Sequence, residues 1–271
     1  MVENEERRSR QGAGGRTMTA LSESLEFLEA SIAEACCRAG RPRAEVELMA
    51  VSKTYPAPTI AEAARLGLTL FGENRVQEFA AKTPDLDVLR RAPLGVEAGA
   101  EVPPCGPIRV HLIGHLQSNK AQRAVELFDA VDSVDSLRLA ERLNDAAGKL
   151  DKKLPVLVEV KLSPEETKAG LDPESSEAAE LLERLPDLAH LEMHGLMTIA
   201  PWGVPEEETR ACFRSLRNWR DRWVAAYPRL AWDVLSMGMS GDFMLAIEEG
   251  ATRIRVGTAL FGKRGPYAGP A

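Results

Sequence analysis

Five features of this sequence have side chains or backbone suited to chemistry. Lys53 follows an apolar run, Leu48-Met49-Ala50-Val51, and Ser52; Pro56 and Pro58 come within five residues of it. A strand buried on both faces that emerges at this lysine leaves the ammonium partly desolvated, which favours the neutral, nucleophilic amine. The same position also suits a lysine that caps a strand and reaches water. Met239-Ser240-Gly241-Asp242 opens a helical pattern after another apolar run. Free backbone N–H groups and the helix dipole favour an anion there, and Ser240 adds a hydroxyl donor. Read without its neighbours, this segment is equally a tight turn. Gly257 permits close backbone approach, and Thr258 offers a second hydroxyl. Arg255 lies two residues before Gly257 and so shares its strand face. If buried, it requires a carboxylate or a neutral heteroaromatic nitrogen as partner. Asn74 stands at the exit of a further apolar run, 69–72.

These residues are separated by up to 205 positions, so the elements between them must bring them together. Apolar runs at 48–51, 69–72, 109–115, 130–134, 155–161, 193–198, 232–237 and 252–256 read as eight strands, and polar residues gather after most of them. Helical periodicity separates them. Leu21, Leu25, Leu28, Ile32 and Ala35 define a first helix ended by Gly40 and Pro42. Cys212, Leu216, Trp219, Trp223 and Tyr227 stripe a long one that starts after Pro205 and reads as core-facing. Strict alternation of strand and helix implies a parallel sheet, and eight units in about 250 residues suit a single closed (β/α)8 TIM barrel. An open doubly wound sheet is the alternative, but it requires a Gly-rich turn after the first strand, where this chain has Lys53-Thr54-Tyr55-Pro56. In a barrel the site lies at the C-terminal ends of the strands, and a phosphate after strands seven and eight is a recurring use.

Residues 1–20 are charged and Gly-rich with little to bury, and are expected to be a disordered tail. The barrel is expected over 21–265. A Pro- and Gly-rich stretch at about 83–107 reads as a surface insertion, with the preceding helix ending at Lys82.

The 271 residues are 44% hydrophobic and 28% charged, with a net charge of −7. That balance fits a globular domain and opposes a general nucleic-acid binder, which needs a basic footprint. Four cysteines without metal-ligand spacing suggest reduced thiols and a cytoplasmic protein. No apolar run reaches the length of a membrane span. His111 and His115 share a strand face, but with His190 and His194 they form no recognisable metal cluster in the sequence.

A lysine nucleophile, an anion cradle and a ring-nitrogen donor together match pyridoxal 5′-phosphate (PLP), held as an internal aldimine. The segments Ala50-Val51-Ser52-Lys53-Thr54, Phe71-Gly72-Glu73-Asn74, Val76-Gln77-Glu78 and 111–120 go further. With Gly195-Leu196-Met197, 235–240 and 255–262, in this order, the sequence resembles the PLP homeostasis proteins, the alanine-racemase-like group of single-domain PLP-binding barrels (fold type III). The resemblance runs over about 21–262. It implies a covalent PLP aldimine on Lys53, Ser240, Gly257 and Thr258 around the phosphate, Arg255 at the ring nitrogen and Asn74 near the ring. Two departures are Val110, where the family usually has an aromatic residue, and the long stretch at 83–107. The resemblance implies a carrier or regulator of PLP that serves PLP-dependent apoenzymes and is not itself a catalyst. The related racemases use a tyrosine from a C-terminal β-domain, and this chain is expected to lack that domain. An amino-acid racemase with Lys53 as acid/base is the alternative. A monomer is expected, without membrane or nucleic-acid partners.

Overall fold

Eight short strands, all parallel and each hydrogen-bonded to the next, close into one barrel in the order β1 to β8. The structure is a computed structural model and describes residues 19–91, 107–163 and 169–262. The expected N-terminal tail lies outside the described residues except for Thr19 and Ala20. The strands are β1 (Glu47–Val51), β2 (Leu70–Glu73), β3 (Arg109–Leu112), β4 (Ala130–Val134), β5 (Leu154–Glu159), β6 (Leu191–Met197), β7 (Val234–Ser236) and β8 (Arg253–Val256). Closure comes from β1 and β8, where Met49 pairs with Arg255 and Glu47 with Arg253.

The helices are α1 (Ala20–Arg38), α2 (Ala57–Arg65), α3 (Val76–Arg90), α4 (Ala121–Leu127), α5 (Leu137–Lys149), α6 (Ser176–Arg184), α7 (Glu206–Ala226), α8 (Phe243–Glu248) and α9 (Thr258–Phe261). Helix α9 is a single turn, and α1 compensates by packing against both α8 and α9. A capping box between Thr19 and Ser22 starts α1 and satisfies its first free N–H groups. The prolines after Lys53 do more than stop β1. Pro56 is the N-cap of α2 and Pro58 lies in its first turn, where a missing N–H costs nothing. Buried Cys212, Leu216 and Trp223 confirm the core-facing stripe of α7.

One expectation is corrected. The helix after β2 does not end at Lys82 but runs to Arg90, straight through Pro84. Pro84 is on the exposed face, while Phe79, Lys82, Leu86 and Leu89 form a continuous buried stripe. Burial of that stripe outweighs the one backbone hydrogen bond a proline removes. Of the stretch read as an insertion, 92–106 lies outside the described residues.

The main core lies between the barrel and its helices. Inside the barrel the apolar cluster is small: Met49, Val51, Leu70 and Ile113. The rest of the interior includes charged groups. At the N-terminal end of the barrel, Arg253 bonds Glu47 at 2.8 Å and Asp132 at 3.3 Å, and Asp132 bonds His111 Nδ1 at 3.0 Å.

Candidate cofactor site

The site forms where chain direction and strand length place polar residues at the C-terminal mouth of the barrel. Lys53 lies two residues past the end of β1 and Asn74 one past the end of β2. Gly114, after β3, allows this packing, since a Cβ there would come within 2.4 Å of the Asn74 carbonyl oxygen. Arg255 is in β8, and Gly257 and Thr258 form its exit. Ser240 is in the turn after β7. That turn depends on Gly238, whose φ of +91° is in the region that favours glycine and whose Cβ would clash with Ala246 at 2.5 Å. Lys53, Asn74, Ser240, Arg255, Gly257 and Thr258 all line one cavity of about 760 Å³. That volume is ordinary for a small-molecule site.

The Ser240 turn differs from its sequence reading. Helix α8 begins at Phe243, so Ser240 is three residues outside it. Its hydroxyl oxygen instead accepts hydrogen bonds from the N–H groups of Gly257, at 3.2 Å, and Ala259, at 3.3 Å. The donors of the strand-eight exit therefore converge on an oxygen from the strand-seven exit. That is an arrangement suited to an anion.

Arg255 is buried and held in place. Its Nη1 donates to the Ser236 carbonyl at 2.7 Å and to Ser236 Oγ at 2.9 Å, and its Nη2 donates to the Thr198 carbonyl at 2.8 Å. A guanidinium has five N–H donors, so these bonds leave donors for a ligand. Burial pulls the guanidinium down from its ordinary value, against the fields of Glu159, Asp132 and Asp242.

Glu159 was not singled out by the sequence. It ends β5, lines the cavity and is only 4% exposed. Among the described residues its Oε2 has no hydrogen-bond partner. Burial pushes its carboxyl up to about 7 despite the opposing pull of Arg255. The one available signal was an acid within the apolar run 155–160.

The described tyrosines lie away from the cavity. Tyr55 does not line the cavity; its hydroxyl donates to the Gly262 carbonyl at 2.8 Å and its ring packs on Phe261. Tyr227 caps the far end of α7, and Tyr267 lies outside the described residues. Of the two histidines of the third unit, His111 bonds Asp132 at 3.0 Å, while His115 lines the cavity and bonds Asp135 at 3.1 Å. Among the described residues no three His, Cys, Asp or Glu side chains form a group that could hold a metal ion. No described helix is long and apolar enough to cross a membrane.

Comparison with known proteins agrees with the barrel fold. The family described as alanine racemase, N-terminal domain, matches residues 24–265. The pyridoxal phosphate homeostasis protein of Vibrio alginolyticus is 39% identical over 249 residues, covering 91% of this chain and 99% of that protein. That of Escherichia coli K12 is 37% identical over 250 residues, covering 91% and 98%. PipY of Synechococcus elongatus, solved with PLP bound, superposes with a TM-score of 0.71 at 43% identity, over 85% of this chain and 100% of PipY. An alanine racemase of Clostridium difficile shares the fold, with a TM-score of 0.65 at 17% identity, over 90% of this chain and 57% of the racemase. Matched along nearly its whole length, the chain belongs to the alanine racemase N-terminal domain family and, within it, to the pyridoxal phosphate homeostasis proteins.

Proposed function

We propose that this protein binds PLP at the C-terminal mouth of its barrel, holds it covalently but reversibly through Lys53, and carries it without turning over a substrate. The observation that carries this reading is the shared cavity: Lys53, the fixed guanidinium of Arg255 and the Ser240–Gly257–Thr258 donors surround one space. The residues fit the group. Ser240, Gly257 and Thr258 would hold its phosphate, Arg255 its ring nitrogen, and Asn74 would sit beside the ring. The unpartnered oxygen of Glu159 is a further sign that a ligand completes this space. When bound, the coenzyme supplies an aldehyde that an amine can hold and release.

What the chain's own residues do explains why carriage is favoured. Arg255 keeps its proton and donates, so a ring nitrogen beside it stays unprotonated, which weakens the electron sink that carbanion chemistry needs. Neither described tyrosine lines the cavity, so neither can serve as a proton donor opposite Lys53. The names of the relatives, which are called homeostasis proteins, support the same reading. It extends to a cytoplasmic monomer that gives PLP to PLP-dependent apoenzymes. The absence of a membrane-spanning described helix is in keeping with this, as is the net charge of −7.

Incubation with PLP, borohydride reduction and peptide mapping test the reading. The expected label is on Lys53, and a label on another lysine overturns the assignment. In parallel, L-alanine and L-serine should keep their optical activity. Sustained racemisation would replace the carrier with an enzyme.

A further inference from the structure

Next to Lys53 along the chain, and outside the cavity lining, lies a buried ionic cluster that the proposed function has not used. Lys82 of α3 is 6% exposed and does not line the cavity. Its Nζ donates to Glu73 Oε1 and to Glu78 Oε1, each at 2.9 Å, and to the carbonyl of Ser52 at 3.1 Å. Ser52 Oγ donates to the same Glu73 oxygen at 2.7 Å. Glu78 also accepts from the backbone N–H of Thr54. Ser52 and Thr54 are the two neighbours of Lys53, so the cluster grips the backbone on both sides of that one residue.

The grip coincides with an unfavourable backbone. Thr54 has φ +68°, a left-handed conformation that a β-branched residue rarely adopts. Its Oγ1 is buried without a hydrogen-bond partner among the described residues, as is Glu73 Oε2. Such a conformation persists only where its surroundings over-determine it. Here the over-determination comes from side chains of β2 and α3, brought by the barrel against the exit of β1. Buried ionic clusters contribute little net stability compared with apolar packing, and their best-attested use is to enforce one arrangement. The arrangement enforced is the turn from which Lys53 enters the cavity.

We infer that Lys82, with Glu73 and Glu78, is a positioning group that holds the Ser52–Lys53–Thr54 turn so that the Lys53 amine meets the coenzyme aldehyde. This rests on the assignment of Lys53 proposed above. The cluster touches neither the phosphate donors nor Arg255, so it acts on covalent attachment and not on the remaining contacts. Two ligands separate these effects. PLP reports both kinds of contact. The analogue 4-deoxypyridoxine 5′-phosphate has a methyl in place of the aldehyde and reports only the non-covalent ones.

The test uses the full chain and two variants, Lys82→Met and Glu78→Ala. The second removes the Thr54 contact from a less buried position and serves if the first fails to fold. The rate of borohydride-trapped labelling at Lys53 is followed by mass spectrometry, and the affinity for the analogue by calorimetry. The expected result is labelling slowed roughly 10- to 100-fold, the scale of a small misplacement of a reacting group, with analogue affinity unchanged. Labelling at the wild-type rate in the folded variants overturns the inference. Parallel loss of analogue affinity overturns it too, because the cluster would then serve only to hold the fold together. A wild-type chain that takes no label at Lys53 overturns instead the assignment of Lys53 on which the inference rests.

Discussion

Glu159 and Lys53 face the same cavity, and their chemistry differs because of what surrounds each. Glu159 has no hydrogen-bond donor at Oε2 among the described residues and is almost fully buried, so its neutral form is favoured. Its carboxyl lies at about 7 against an ordinary 4.5. An acid raised on folding leaves the folded state fully stable below the unfolded value, and that stability is lost as pH rises through the folded value. The window is therefore from about 4.5 to about 7. In it the ligand-free wild type should lose stability on the order of 3 kcal/mol relative to Glu159→Gln. Urea titrations of both proteins across that range measure the difference. A difference that does not change with pH would show that Glu159 finds a donor in solution. The sequence held only a weak sign of this residue, an acid within an apolar run. An acid at a strand end ordinarily faces water, and only the walls of the cavity make this one a buried acid.

At the scale of elements, α3 is where local preference and tertiary packing conflict. Pro84 argues for a helix end, and the apolar positions around it argue for continuation. The stripe prevails because Phe79, Leu86 and Leu89 bury against the barrel layer. Pro84 itself is exposed and lacks the N–H that would bond back along the helix. Pro84→Ala should therefore stabilise the chain by about 1–2 kcal/mol, read from the urea midpoint at unchanged slope. The gain stays below the full cost of a mid-helix proline because alanine also loosens the unfolded chain. Helix α3 carries both Glu78 and Lys82, so its continuity also bears on the site. The i,i+4 spacing of that pair was visible in the sequence. Its contact with Ser52, 30 residues away, was not.

For the whole molecule, the barrel's two ends do different work with the same strands. Along β8, Arg253 belongs to the charged N-terminal end and Arg255 to the cavity. Arg253→Met would take a cation from buried Asp132, which keeps His111, and from half-exposed Glu47, which keeps Arg109 at 3.0 Å, so the loss should be roughly 1–3 kcal/mol, below that of a buried charge left without any partner. Denaturant unfolding should show that loss, while folded Arg253→Met still takes PLP label at Lys53 in wild-type proportion. Loss of labelling as well would mean that the two ends are coupled. The sequence by itself determined the barrel and the positions of its exits. Strands buried on both faces read as apolar runs, alternation with helices makes them parallel, and parallel strands all point their ends the same way. Lys53, Asn74, Ser240, Arg255, Gly257 and Thr258 could be named on that logic. Only the tertiary structure decided what meets what: Ser240 with the amides after β8, Glu159 with the cavity, and Lys82 with the turn at Lys53. Those contacts depend on the register with which the barrel closes, and closure joins residues as far apart as Glu47 and Arg253, 206 positions along the chain. Local patterns of hydrophobicity fix where strands begin and end, and the closed sheet fixes their alignment.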